Sequence, residues 1–218
     1  MPPAPTLFHL TPSIFRIFTP LHLSAKNGHF DICRLLLLCG ASASAYGLFT
    51  RQHQYQALRY LTNANSYTPL HFAAYYGHLE VCRLLLNANA NMETNTCADQ
   101  TQLSLAAQKG NTEVCRLLLE KGADTEAIDS STWTPLHHAV NGGFLDTCRL
   151  LVESKAHIDV MRRYLGTSAL SFYLSAYTMR YSDGKTPLQM ARKLKHTEIV
   201  EYLKNKKEGG YVRKRRRM

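Results

Sequence analysis

The sequence has little or nothing of several features that would point directly to a function. It contains one tryptophan, and its 16 acidic residues are outnumbered by 26 lysines and arginines. No Asn-x-Ser/Thr acceptor site occurs, and the first residues, Met1 to Pro5, carry no basic side chain before the first apolar stretch. A secretory signal peptide begins with such a basic region. We therefore expect no export signal and an intracellular protein, either cytoplasmic or nuclear.

Hydrophobic runs long enough to cross a membrane are also missing. Residues 35–50 and 164–179 are uncharged runs of 16 residues each, and both contain glycine and serine. A membrane-spanning helix needs about 20 mostly apolar residues. We expect no transmembrane segment.

Motifs typical of enzymes are absent as well. The sequence has no Gly-x-Ser-x-Gly, His-Glu-x-x-His, Walker loop, Cys-x-x-Cys or dinucleotide-binding glycine pattern. We therefore expect a protein without catalytic residues, cofactor or metal ion.

What the sequence does have is a repeated string. Thr-Pro-Leu-His begins at Thr19, Thr68 and Thr134, and each copy is followed at the same distance by Cys-Arg-Leu-Leu. Variant copies begin at Thr101 and Thr186. The five starts are separated by 49, 33, 33 and 52 residues, so the basic period is 33. A fixed period of this size is typical of stacked-repeat architectures.

Each repeat predicts two helices. Thr followed by Pro is a helix N-cap followed by a favoured first helical position. Small residues such as Ala73 and Ala74 predict a face for close helix contact, and a glycine such as Gly77 predicts the end of the first helix. The Cys-Arg-Leu-Leu stretch predicts a second, mostly buried helix, whose end lies near Gly40, Asn89, Gly122, Lys155 or Lys207. One pair cannot bury both of its faces, so we expect the pairs to stack into an all-α solenoid.

On these residues the sequence resembles the ankyrin repeat family, which has a 33-residue period and the string Thr-Pro-Leu-His-x-Ala. The resemblance covers residues 19–207, between an N-terminal segment at 1–18 and a basic C-terminal tail at 208–218. It implies antiparallel helix pairs, finger loops between repeats, and a concave face of first helices and fingers that binds partner proteins. It also implies that His22, His71 and His137 bond the preceding threonine and neighbouring backbone.

Two insertions interrupt the period, one at about residues 43–63 and one at about 160–182. Both fall where the family places its fingers. The stretch from Thr50 to Leu61 predicts a short helix. Residues 170–177 alternate like a strand, but the spacing of Leu170, Leu174 and Tyr177 fits a helix equally well.

Four of the six cysteines occupy one equivalent position in the repeats, namely Cys33, Cys82, Cys115 and Cys148. Stacking separates such positions by about 8–10 Å. A disulfide needs Cα atoms within about 7 Å, and a zinc ion needs ligands at about 2.0–2.3 Å. We therefore interpret these residues as small buried hydrophobic side chains.

Residues that lie between the repeated positions are the candidates for partner binding, because exposed tyrosine and tryptophan contribute much of the energy of interfaces. The alternative is that they pack locally. The candidates, expected on the face open to partners or at a finger base, are Tyr67, Phe72, Tyr75, Tyr76, Gln108, Lys109, Trp133, His138 and Asn141. We expect a monomeric protein–protein interaction module, whose partner the sequence does not identify.

The C-terminal tail is strongly basic, with Arg213, Lys214, Arg215, Arg216 and Arg217 after a Gly-Gly pair. Such clusters are typical of nuclear localisation signals and of nucleic-acid or membrane contacts; the alternative is a solubilising end to the last repeat. Two other functions therefore stay open. One is a nuclear or nucleic-acid-associated regulatory factor that uses the tail, and the other is an ankyrin-bearing piece of a larger catalytic protein.

Overall fold

The computed structural model is a stack of helix pairs. The structure describes residues 15–45, 48–50, 67–92, 94–96, 98–158 and 185–215, with side chains described between residues 18 and 207. The helices of these segments are α1 (Pro20–Lys26), α2 (Phe30–Leu38), α3 (Pro69–Tyr76), α4 (Leu79–Asn87), α5 (Gln102–Lys109), α6 (Thr112–Glu120), α7 (Pro135–Gly142), α8 (Leu145–Glu153), α9 (Pro187–Lys193) and α10 (Thr197–Arg215). Each repeat contributes two helices, and the predicted all-α solenoid is confirmed.

A short antiparallel strand pair flanks the first repeat, with one strand before it in the chain and the other after it. Strand β1 (Phe15–Ile17) lies beside β2 (Leu48–Thr50), with Phe15 opposite Thr50. The N-terminal segment is thereby joined to the start of the first insertion by backbone hydrogen bonds.

The first helix of each repeat begins directly after its threonine. In the second repeat, the backbone N–H of His71 donates to Oγ1 of Thr68 at 3.4 Å, and the backbone N–H of Thr68 donates to Nδ1 of His71 at 3.1 Å. This reciprocal capping box recurs in the first, fourth and fifth repeats, with Gln189 in place of histidine in the fifth. Because Nδ1 accepts a hydrogen bond, the proton of the neutral ring lies on Nε2.

The Nε2 atoms of two of these histidines connect one repeat with the next. Nε2 of His22 donates to the carbonyl of Tyr67 at 3.0 Å, and Nε2 of His137 donates to the carbonyl of Lys185 at 3.1 Å. Each acceptor residue immediately precedes the threonine that begins the following repeat. The bonds to threonine and backbone that the resemblance implied are therefore present at both rings.

A glycine ends the first helix in four repeats and lets the next repeat approach. Gly77 has φ of 79°, and a Cβ atom there would lie 2.8 Å from Oδ1 of Asn111. The Asn111 amide donates to the carbonyls of Ala74 at 2.8 Å and Tyr75 at 3.0 Å. The glycine therefore permits both the left-handed turn and a hydrogen bond between neighbouring repeats.

Small residues form the contact between successive first helices. The first helices α1, α3, α5, α7 and α9 contact one another in sequence, as do the second helices α2, α4, α6, α8 and α10. The fully buried small residues of the first helices are Ala25, Ala73, Ala74, Ala106, Ala107, Ala139 and Ala191. The predicted small-residue face is confirmed.

The first repeat leaves an apolar face open. In α2, Ile32 is 49% exposed and Leu35 is 61% exposed, whereas the equivalent Val114 and Leu117 in α6 are 2% and 3% exposed. In the inner repeats the preceding helix pair covers this face. Within the described residues no helix pair precedes α1 and α2.

The last helix is longer than the sequence predicts. We expected an end near Lys207, but α10 continues to Arg215. Lysine and glutamate are good helix formers, and a glycine costs only about 1 kcal/mol in a helix. The helical backbone therefore continues through Gly209 and Gly210 into the segment that we predicted to be a separate tail.

The two predicted insertion elements lie almost entirely outside the described residues. Of the stretch from Thr50 to Leu61, the structure describes Thr50, which belongs to β2 and not to a helix. The element at 170–177 is outside as well. Among the helices that are described, none combines the length and the apolar character that crossing a membrane requires.

Candidate partner-binding surface

The repeated cysteines lie in the interior of the stack. Cys33, Cys82, Cys115 and Cys148 are all 0% exposed. Burial raises the pKa of Cys82, Cys115 and Cys148 to about 12, because the thiolate loses its solvation. At neutral pH these thiols stay protonated. The prediction that they are buried hydrophobic side chains is confirmed.

The capping histidines are also interior groups. Burial lowers the pKa of His71 to about 4, and burial lowers the pKa of His22 as well. A protonated ring would carry N–H on both nitrogens, so Nδ1 could no longer accept the threonine N–H. These rings serve the fold and are not placed for contact with a partner.

A carboxylate closes the finger that joins α6 to α7. Oδ1 of Asp129 accepts the backbone N–H of Trp133 at 2.8 Å, and the backbone N–H of Asp129 donates to the carbonyl of Trp133 at 3.1 Å. Thr132 in this turn has φ of 72°. That conformation costs a non-glycine residue on the order of 1–3 kcal/mol. The side chain of Asp129 therefore stabilises a strained turn.

The same carboxylate binds the first helix of the fourth repeat. Oδ2 of Asp129 lies 2.9 Å from Nε2 of His138, and both side chains are 4% exposed. The His138 ring also meets the Trp133 ring edge to face, with the ring centres 5.2 Å apart. The expectation that His138 lies open to a partner is therefore wrong. It is a buried residue that fixes the finger to α7.

Two of the aromatic candidates belong to a local cluster. The rings of Tyr67 and Phe72 are stacked with centres 5.2 Å apart, and Phe18 meets Phe72 edge to face at 5.1 Å. Tyr67 and Phe72 are both half-buried. For these two residues the structure favours local packing at the base of the second repeat.

Tyr75 and Tyr76 lie on the outer side of the first helices. Nζ of Lys109 lies 4.6 Å from the ring centre of Tyr75, and Nζ of Lys26 lies 5.7 Å from that of Tyr76. Tyr76 is 46% exposed. The four side chains thus form a continuous row across three consecutive repeats. We call the surface made by this row and by Gln108, Asn141 and Lys193 the first-helix face.

A pocket opens at one end of this face. Its volume is about 440 Å³, and Trp133, Met190 and Leu194 form its apolar walls. Gln108, Asn141, Lys185 and Lys193 are among its polar lining residues. Asp129 and His138 lie at its base, with their mutual hydrogen bond buried. Four predicted candidates, Gln108, Trp133, His138 and Asn141, therefore come together in one pocket.

The sequence prediction missed the contribution of the fifth repeat. Met190 and Lys193 in α9, and Leu194 directly after it, correspond to His138, Asn141 and Gly142 in α7. Applying the same repeat positions to the fifth repeat would have identified them. Asp129 had no such signal, because its role depends on the finger folding back against α7.

The comparisons with known proteins agree with this architecture. The model described as ankyrin repeats (3 copies) matches residues 11–96, 40–129 and 88–164, and the model of a single ankyrin repeat matches residues 183–212. The comparison with curated proteins found no match.

Proposed function

Because the chain belongs to the ankyrin repeat family, we propose that it binds a partner protein through the first-helix face and the finger that carries Trp133. Repeats of this family generally mediate protein–protein interaction and are typically not catalytic. In this proposal the binding domain spans residues 19–207, acts as a monomer and works inside the cell.

The observation that supports the proposal most strongly is the continuity of the surface. The row from Lys26 through Tyr76 and Tyr75 to Lys109 leads across successive repeats towards the pocket beside Trp133. Tyrosine and tryptophan bury a large area at a small cost in side-chain entropy. An extended surface with a large exposed tyrosine and a tryptophan-walled pocket is suited to a protein ligand.

Affinity capture of the full chain from its native cell, followed by quantitative mass spectrometry, tests the proposal. We expect the partner signal to fall strongly in the variant Tyr76→Ala/Trp133→Ala. The matched control is Arg83→Ala/Arg116→Ala, because these arginines are exposed on the second helices. Circular dichroism establishes that both variants are folded. An unchanged partner signal in the folded tyrosine–tryptophan variant would show that this surface is not the binding site.

A further inference from the structure

Helix α10 is much longer than the second helices of the other repeats. Helices α2, α4, α6 and α8 have nine residues each, whereas α10 has nineteen. The other second helices all end at the repeat position that Asn205 occupies in the fifth repeat. Helix α10 continues past this position by ten residues, 206–215, which span about 15 Å at a rise of about 1.5 Å per residue. We call these ten residues the α10 extension.

The chain around the α10 extension carries nearly all of the excess positive charge of the protein. Residues 185–217 hold twelve lysines and arginines and three glutamates, whereas the net charge of the whole sequence is +10. Residues 153–184, which precede them, hold four basic and three acidic side chains and so do not reverse this balance. If every glutamate of residues 185–217 pairs with a basic residue, nine positive charges still remain. The end of the stack is therefore basic after its carboxylates are counted.

One face of α10 changes from apolar to basic at the end of the stack. Ile199 and Leu203 pack inside the stack and are 2% and 0% exposed. A helix has about 3.6 residues per turn, so the positions that continue their face are three to four and seven to eight residues apart. The residues at these positions in the α10 extension are Lys206, Gly210, Arg213 and Lys214, which we call the basic stripe. Glu208, the one acidic residue of the extension, lies at a position on the opposite side.

The basic stripe is suited to a ligand with many negative charges. Lysine and arginine are almost never fully buried without a partner, so this face does not continue the core. Lys206 is exposed, and Arg213 lies seven residues, or about 10.5 Å, further along the helix. Gly210 lies between them, and a residue without a side chain lets a ligand approach the helix backbone closely.

Duplex DNA has the charge and the shape that the stripe requires. It carries one negative charge per about 1.7 Å of its axis. Its major groove is about 12 Å wide and admits an α-helix. A helix with basic residues two turns apart can therefore bind phosphates at the edge of this groove.

Two other polyanionic ligands match the α10 extension less well. A helix that binds a membrane surface needs an apolar face. The large apolar residues of the extension are Tyr211 and Val212, which are adjacent in the sequence and so lie about 100° apart around the helix. Single-stranded nucleic acid is bound largely by stacking of its bases on aromatic side chains, and Tyr211 is the single aromatic residue of the extension. The composition therefore favours a duplex, whose bases are already stacked.

We propose that the α10 extension binds double-stranded DNA. Lys206, Arg213 and Lys214 contact phosphates of the backbone, so the binding depends little on base sequence. This inference goes beyond the proposed function, because α10 is not part of the first-helix face. One chain thereby holds a partner protein at one surface and DNA at another.

Fluorescence anisotropy of the full chain with a labelled DNA duplex of about 20 base pairs and mixed sequence tests the inference. We expect a dissociation constant of about 1–100 μM near physiological salt, as is usual for binding that does not depend on sequence. The affinity should fall as salt rises, because bound counterions are released from the DNA. Three phosphate contacts contribute about −2.7 to the slope of log association constant against log salt concentration.

Removing charge from the stripe provides the matched comparison. We expect Arg213→Gln/Lys214→Gln to weaken duplex binding about tenfold or more and to reduce the magnitude of the salt slope by about 2. Arg83→Gln/Arg116→Gln removes the same charge from exposed residues of α4 and α6 and should leave the affinity within about twofold. Thermal melts establish that both variants are folded.

Substitutions at Gly209 separate the helix from the mere presence of charge. Gly209→Ala keeps every charge and favours the helix, whereas Gly209→Pro keeps every charge and interrupts the helix. We expect the alanine variant to bind the duplex at least as tightly as the natural protein. The proline variant should bind several-fold more weakly.

Three results would overturn the inference. The first is duplex binding that is absent or is unchanged in Arg213→Gln/Lys214→Gln. The second is equal affinity in the two Gly209 variants, which would show that the charges act without the helix. The third is tighter binding to a single strand of the same sequence, or to vesicles of equimolar phosphatidylserine and phosphatidylcholine, at equal phosphate concentration.

The inference and the proposed function fail separately. Tyr76→Ala/Trp133→Ala, which tests the proposed function, changes the first-helix face and the finger and should leave duplex affinity unchanged. Arg213→Gln/Lys214→Gln should in turn leave capture of the partner protein unchanged.

Discussion

Nε2 of His138 donates a hydrogen bond to Oδ2 of Asp129 across 2.9 Å, in a place where neither side chain is more than 4% exposed. The third repeat builds the same finger without this pair. Thr96 accepts the backbone N–H of Gln100 at 3.2 Å, and Leu105, at 1% exposed, occupies the position of His138. The chain thus builds the same turn 33 residues earlier with uncharged residues at both of these positions.

The pair Asp129–His138 should behave as a coupled unit. We expect His138→Leu alone to lower the free energy of unfolding by about 3–5 kcal/mol, because it leaves a buried carboxylate without its partner. The double variant Asp129→Thr/His138→Leu reproduces the third repeat and should return to within about 1–2 kcal/mol of the natural protein. Urea unfolding of both single variants and the double variant gives the coupling energy. Additive costs would show that the two residues act independently.

Acid should destabilise the fold through His71. Its pKa is about 4 in the folded protein and about 6.5 when unfolded, so below pH 6.5 the unfolded chain binds the proton first. The contribution of His71 to the free energy of unfolding is therefore fully present above about pH 6.5. It is lost as the pH falls towards 4, by on the order of 3 kcal/mol.

The variant His71→Gln isolates this contribution. Gln189 fills the same role in the fifth repeat, where its Oε1 accepts the backbone N–H of Thr186 at 2.9 Å. We expect urea unfolding between pH 7 and 4.5 to show a smaller loss of stability in His71→Gln than in the natural protein. His29→Gln, which makes the same substitution at an exposed residue, is the control. An identical pH dependence in His71→Gln and the natural protein would contradict the assignment.

The buried thiols should resist alkylation in the native state. The pKa of Cys82, Cys115 and Cys148 is about 12, whereas Cys39 is exposed. Because the thiolate is the reacting form, we expect iodoacetamide at pH 8 to label Cys39 within minutes and the three buried residues only after unfolding in urea. Peptide mass spectrometry follows each site separately. Rapid native labelling of Cys115 would contradict the burial of this position.

Because the first repeat leaves its apolar face open, replacing equivalent leucines should cost different amounts of stability. Leu35 and Leu117 occupy the same repeat position but are 61% and 3% exposed. We expect Leu117→Ala to cost about 2–5 kcal/mol, as is usual for a buried leucine. Leu35→Ala should cost less than about 1 kcal/mol because little apolar surface is lost from the interior. Thermal and urea unfolding compare the two directly, and similar costs would show that Leu35 is covered in solution.

Much of the fold follows from local sequence signals. Thr68 with Pro69, the pair Ala73 and Ala74, and Gly77 each specify a helix start, a contact face or a helix end within a few residues. The structure confirms all three. Capping and left-handed backbone depend on neighbouring residues in the chain, and the contact face could be predicted because the same small residues recur at one position of each repeat. The equivalent residues of the other repeats extend the same prediction along the stack.

The features that sequence reasoning missed depend on distant neighbours. The sequence around Ile32 resembles that of the inner second helices. Its exposure nevertheless differs, because no helix pair within the described residues covers it. No feature of the sequence around His138 predicts its burial, because its partner Asp129 contacts it only once the finger folds back against α7. The pocket beside Trp133 combines residues of the third, fourth and fifth repeats, so no single repeat predicts it.

The hydrogen bonds made by Nε2 of His22 and His137 fix where the chain returns to the stack after each insertion. His22 bonds the carbonyl of Tyr67, and His137 bonds the carbonyl of Lys185, in each case on the far side of an insertion. After both insertions the chain thus rejoins the stack at an equivalent hydrogen bond. The length of an insertion therefore need not change how the repeats stack. These two sites are suited to the exchange of loops while the repeats keep their register.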